Sequence, residues 1–231
     1  MKKIGMIGGF GPESTLDYYR RIQARYRKLA KDDSYPEIII NSMDMTAMLR
    51  LVAEKKWEEL VAFLVGGIES LRKAGADFAF VSANTPHIVF EQVKQQSPIE
   101  LISIVEATRQ YADQLGLRNV GLLGTSFTMN SNYYQTEFNK STIRMIVPKV
   151  EEKQFIQEKL MSEIEQGIFL DSTRQDLLCI VKRMMDTDKI EGVVLGCTEL
   201  PLILTKNEFG IPFLNTTEIH VESIVQKCMQ E

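Results

Sequence analysis

Apolar runs of strand length recur along the chain, and stretches with helical periodicity separate them. The runs are "KIGMIGG", "EIIINSM", "DFAFVSA", "IELISI", "NVGLLG", "TIRMIVP", "EGVVLG" and "PFLN". Between them, apolar residues spaced three and four apart predict amphipathic helices over about 12–31, 55–73, 151–167 and 172–186. Gly75, Gly116, Gly167 and Gly210 punctuate the junctions. Strands that are apolar throughout, rather than alternating, need cover on both faces. That need is met by parallel sheets with crossover helices, so the fold class is α/β, with parallel sheets flanked by helices.

The pattern also repeats. Ile4-Gly5-Met6-Ile7-Gly8-Gly9 reads like Val120-Gly121-Leu122-Leu123-Gly124-Thr125, and "VSANTP" reads like "LGCTELP". Both echoes are offset by roughly 115 residues, half the chain, as a duplicated unit would be. The expected architecture is two similar lobes in a pseudo-twofold arrangement with an active-site cleft between them. Residues 1–98 with 209–231 form the first, and 99–208 the second. Open α/β sheets bind ligands beyond the carboxyl ends of their strands. Gly8-Gly9, Ala83-Asn84, Gly124-Thr125 and Cys197-Thr198 fall at such ends.

Composition narrows the partners. With 231 residues, 44% of them hydrophobic, the chain can bury a sizeable core. No apolar run reaches membrane-span length and the N-terminus lacks a signal-peptide pattern, so a cytoplasmic protein is expected. The three cysteines, Cys179, Cys197 and Cys228, have no short spacing, and there are two histidines. Neither a disulfide framework nor a metal site is indicated. A net charge of −4 with scattered basic residues gives no nucleic-acid footprint. A small-molecule partner is left.

Cys197 stands between an apolar strand and Thr198-Glu199, which open a helix. Unpaired N–H groups at a helix start lower a nearby thiol's pKa, so a thiolate is expected there. A lone cysteine is more often a small buried hydrophobe, the reading that suits Cys179 and Cys228. "GGFGPEST" invites a nucleotide-loop reading, but Ser14 stands where a third glycine belongs and no P-loop lysine follows. A tight turn offering backbone donors, at Gly9 in particular, to a carboxylate is the alternative. Asn84, Thr85, Thr125 and Thr198 are explained singly as caps, and together as donors that orient a substrate. Glu199 supports the helix start or holds a substrate ammonium; His87 reads as structural.

Four stretches in order, "IGMIGGFGPESTLDYYRRI", "ANTPH", "GLLGTSFTMNSNYY" and "GVVLGCTELPLIL", with "FLNTTEIH" after them, resemble the aspartate racemase branch of the aspartate/glutamate racemase superfamily. The resemblance runs essentially from end to end. It implies an isomerase that inverts an amino acid's α-carbon without pyridoxal phosphate, metal or any other cofactor. In such enzymes two cysteines serve opposite faces of the substrate. It also implies a homodimer. On this mapping Cys197 is the second-lobe thiol, and the first-lobe thiol position is Ala83, which can neither accept nor donate a proton. Such a protein is expected to exchange protons slowly or with directional bias. The basic groups expected to hold a dicarboxylate's side chain are also altered: Arg50 is displaced, and Glu165 stands where a lysine is expected. The expected activity is racemisation of aspartate or glutamate. The alternatives are a single-cysteine decarboxylase or isomerase of a related acid, and an inactive amino-acid-binding homologue.

Overall fold

The computed structural model describes residues 1–230. It contains β1 (Ile4–Gly8), α1 (Pro12–Leu29), β2 (Ile38–Ser42), α2 (Met45–Ala53), α3 (Trp57–Lys73), β3 (Phe78–Val81), α4 (Phe90–Gln96), β4 (Glu100–Ile102) and α5 (Ile104–Gln114). There follow β5 (Asn119–Leu123), α6 (Ser126–Asn130), α7 (Tyr133–Phe138), β6 (Arg144–Ile146), α8 (Val150–Ser162), α9 (Asp171–Asp188), β7 (Gly192–Leu195), α10 (Leu200–Ile203), β8 (Phe213–Asn215) and α11 (Thr216–Met229). Every apolar run named above holds a strand. Short 3₁₀ turns cover Thr85–Val89 and Ile164–Gln166.

The chain forms two compact units, 1–107 with 217–231 and 108–216. They divide after Ala107 and Thr216, rather than after 98 and 208. The reason is hydrogen bonding: β4 pairs with β3, and β8 with β7, so each strand stays with its own sheet. The first sheet has the order β2-β1-β3-β4 and the second β6-β5-β7-β8, all parallel. The strand order is therefore the same in both.

In the first unit, α1 buries Ser14, Tyr18, Ile22 and Tyr26, one residue per turn. α11 adds Val221, Ile224, Val225 and Cys228 to the same core with Ile4, Met6, Phe78 and Phe80. In the second unit, Leu123, Val193 and Leu195 pack with Ile156 and Leu160 of α8 and Leu177, Val181 and Met184 of α9. Each such side chain, fully buried, contributes about 1.5–3 kcal/mol. α8 ends at Ser162, short of the expected 167. Glu163 leaves the helical backbone at φ −126°, where its carboxylate accepts from Lys159 (2.5 Å) and from Thr173 of α9. Cys179 is exposed on α9, against expectation, while Cys228 is buried. No described helix is long and apolar enough to cross a membrane.

Both histidines are buried and neutral. The ring nitrogen facing a carbonyl must carry the hydrogen, because a carbonyl can only accept. So His220 Nε2 donates to Ile102 O (3.0 Å), and its Nδ1 accepts from Tyr18 Oη (2.9 Å). His87 Nδ1 donates to Ala83 O (2.9 Å), and the ring stacks on Phe90 at 4.7 Å. Burial lowers His87 to about 4 and His220 to about 3 from an ordinary 6.5, with the charge on His87 a further cause for His220. For His87 a second reason is visible: Nε2 has no partner among the described residues, so a proton there would be unanswered. A folded pKa below the unfolded one means that the unfolded chain binds more protons. Stability is complete above about 6.5 and is lost as pH falls towards 3. We expect a loss of at least about 2 kcal/mol across that window. Urea melts at pH 7 and pH 4.5 measure it, and His220→Asn should flatten the slope. A slope unchanged by that variant would assign the acid loss to other groups.

Candidate active site

Two strand ends repeat one construction. In the first unit Ile7 lies beside Val81, and Ser82 N donates to Ile7 O (2.9 Å). In the second, Leu123 lies beside Leu195, and Gly196 N donates to Leu123 O (2.7 Å). One residue past each bond stand Ala83 and Cys197. The register therefore equates these two positions within their sheets, as the sequence echo predicts.

The first-unit turn is held by groups other than the Ala83 side chain. Ser14 Oγ donates to Ser82 O (2.9 Å), Ser82 Oγ to Ile7 O (3.1 Å) and His87 Nδ1 to Ala83 O. Ser82, fully buried, is thus committed to the backbone and offers no base. Asn84 precedes the 3₁₀ turn without a side-chain cap bond, and Thr85 within it is half-buried. Gly9 has φ +86°, and a Cβ there would lie 2.2 Å from Met43 O, so the turn requires glycine. Its amide donates to Thr15 Oγ1 (2.9 Å) and is occupied. Arg50 is exposed in the last turn of α2.

The second-unit turn carries a thiol and a carboxylate in contact. Cys197 is 8% exposed. Its Sγ–H donates to Glu199 Oε2 (2.9 Å), and Thr198 Oγ1 donates to the same oxygen (2.8 Å). Burial pushes the thiol well above its ordinary value; the charge on Glu199 and the hydrogen bond to it add to this, and the charge on Glu165 adds a little more. The backbone N–H of Glu199 acts the other way and loses. This corrects the thiolate expectation: α10 spans Leu200–Ile203 only, so its dipole is small beside a carboxylate in contact with sulfur. Cys197 rests as a thiol.

Thr125 caps α6, its Oγ1 accepting from Thr128 N (3.2 Å). Tyr133 Oη donates to Thr128 Oγ1 (3.2 Å), and Thr125 Oγ1 and Thr128 Oγ1 are 3.1 Å apart. Tyr133 is buried and close enough to Cys197 for the sulfur's charge to raise its pKa further, after burial. Sequence reasoning missed Tyr133 and Thr128; their only signal was membership of "GTSFTMNSNYY". Glu165, expected on a helix, sits in the 3₁₀ turn after α8. One ligand-type oxygen of Glu165, one of Glu199 and Cys197 Sγ all lie within 4.8 Å of one another.

Residues 7–224 match the family model described as Asp/Glu/Hydantoin racemase. The chain is similar to the broad specificity amino-acid racemase RacX of Bacillus subtilis (strain 168), at 24% identity over 225 residues and 96% of each chain. A candidate Asp/Glu racemase of Yersinia pestis superposes with a TM-score of 0.92 at 29% identity, covering 100% of both chains. An aspartate racemase homologue of Pyrococcus horikoshii OT3 gives 0.88 at 31%, again over 100% of both.

Proposed function

Because the chain belongs to the Asp/Glu/Hydantoin racemase family, we propose that it is a cofactor-independent amino-acid racemase whose protein acid/base is Cys197 alone. The observation that carries this reading is the contact of buried Cys197 with half-buried Glu199, at the position whose first-unit counterpart is Ala83.

In the proposed cycle the thiol proton moves to Glu199, and the thiolate takes the α-hydrogen. The C–H pair passes to the α-carbon and its carboxylate. Inversion requires a proton on the other face of that carbanion. With alanine at 83 a water supplies it, and the proton held by Glu199 neutralises the hydroxide left behind. Donors around the turns stabilise the charge that develops on the carboxylate; Thr198, Thr125, Asn84 and Thr85 fill that role in this proposal. Aspartate and glutamate are the substrates implied by the resemblance, and the acidic surroundings of Cys197 weigh against them. A cytoplasmic homodimer belongs to the same reading.

The resting thiol also favours a second reading, protonation of an enolate formed by loss of carbon dioxide from a malonate-like acid. That reaction needs one donor and no base. The test is a screen of all common amino acids in heavy water, with α-deuterium read by proton NMR. Exchange that vanishes in Cys197→Ala supports the racemase. Stereospecific turnover of the acid without amino-acid exchange supports the second reading.

A further inference from the structure

We propose that β2 pairs edge to edge with β2 of a second copy of this chain, antiparallel about a twofold axis at Ile40, joining two first-unit sheets into one. The second copy is the homodimer partner of the reading above, on which the proposal rests for its occupant; nothing in it depends on the proton chemistry. β2 is the outermost strand of its sheet and bonds to β1 alone. At five residues it is the longest sheet edge among the described residues, since β4, β6 and β8 have three each. Exposed edges are ordinarily kept short or charged, which stops them pairing. Ile38–Ser42 carries neither a charge nor a proline, and Ile40 is 42% exposed.

The outward groups match their own reverse. Ile4 N donates to Glu37 O (2.9 Å) and Met43 N to Gly8 O (3.0 Å), so the odd-numbered residues of β2 face β1. The N–H and C=O of Ile38, Ile40 and Ser42 therefore face outward, with no backbone partner there among the described residues. In an antiparallel pair centred on Ile40, that residue meets its own copy and Ile38 meets Ser42, each pair exchanging two hydrogen bonds. A centre at Ile38 would set Ile40 against Pro36, which has no N–H. A centre at Ser42 would set it against Asp44, which is turned to cap α2. In the Ile40 register Glu37 opposes Met43 and Asp44 opposes Pro36, so no like charges meet.

The side chains around the edge agree. A Cβ on Gly8 would lie 2.7 Å from Thr15 Cγ2 and 3.5 Å from Ile40 Cγ2, so Ile40 sits on the α1 face. Opposed residues of an antiparallel pair share a face, so each α1 approaches its copy on one side of the joined sheet. Apart from Met1 and Met229, the exposed large apolar side chains of the described first unit are Leu16, Tyr19, Tyr35, Ile40, Met45 and Leu49. All lie on β2, on α1 or α2, or in the loop leading into β2. They present roughly 600 Å² per copy, most of the about 800 Å² that each partner of a stable dimer buries. Met43, next along the chain, bonds to Gly8 O and sets its own carbonyl against Gly9, so the interface braces the glycine turn.

Sedimentation velocity of the full chain, from sub-micromolar to tens of micromolar, is expected to show a dimer with Kd below about 1 μM. Ile40→Lys should raise that Kd by about 100-fold or more. Leu16→Lys combined with Leu49→Lys, on helix surfaces, should do the same and serves if the strand variant fails to fold. Ile40→Cys in a Cys179→Ser background should crosslink two copies on mild oxidation, because the paired Cα atoms would be about 5.5 Å apart. Val150→Cys, exposed on α8, should not. A monomeric parent overturns the proposal. So does a dimer that the charged variants leave intact, or one that Ile40→Cys links no better than Val150→Cys. Absence of amino-acid exchange would bear on the racemase reading alone, since none of these measurements uses it.

Discussion

Cys197→Ala is expected to abolish exchange of the substrate α-hydrogen with solvent, a fall of about 10³-fold or more. Enzymes with two protein acid/base groups retain one when the other is deleted. Here the corresponding first-unit residue is Ala83, and neighbouring Ser82 is bonded to Ile7 O, so nothing takes over. Cys197→Ser should rank with alanine, because an alcohol beside Glu199 is far harder to ionise than a thiol. Loss of the α-proton NMR signal in heavy water reads the rate. A melting temperature within a few degrees of the parent separates chemistry from folding, since removing one small atom from the turn leaves the Leu195 and Leu200 packing in place. A variant that keeps exchange within about threefold of wild type would remove Cys197 from the mechanism.

The second large effect is a gain. Ala83→Cys should raise exchange from the slower enantiomer by about 10²-fold, bringing the two enantiomers towards parity. The substitution is tolerable because the turn is fastened through backbone atoms: His87 donates to Ala83 O, Ser14 to Ser82 O, and Ser82 N to Ile7 O. Exchange, rather than net racemisation, is the quantity to follow. The equilibrium constant of a racemisation is one, so its kcat/KM must be equal in both directions whatever the enzyme. Washout of α-hydrogen from each pure enantiomer carries no such constraint. An unchanged pair of washout rates would show that position 83 takes no part in proton transfer.

All eight strands were legible in the sequence, because a parallel sheet covered on both faces needs uninterrupted apolar runs. The equivalence of Ala83 and Cys197 was legible for the same reason, since duplicated strands keep their register. What escaped depends on contacts between distant residues. Nothing in "KLMSEIEQG" shows that the helix ends at Ser162, so that Glu165 falls in a 3₁₀ turn with a carboxylate oxygen within 4.8 Å of the sulfur. The thiol's protonation was misjudged because the helix after it proved to be four residues long and the carboxylate of Glu199 turns in towards sulfur. Tyr133 was missed because a buried tyrosine hydroxyl bonded to a threonine leaves no mark in a local pattern.

The exposure of Cys179 has a practical edge. Electrophiles react with thiolates that they can reach. Cys197 is neither open nor ionised, whereas Cys179 lies on the outer side of α9. Iodoacetamide or a maleimide will therefore modify Cys179 first, and alkylation stoichiometry would count the wrong sulfur as reactive. Covalent probes against this enzyme should be judged in a Cys179→Ser, Cys228→Ala background, where any remaining adduct reports on Cys197 unlatched from Glu199.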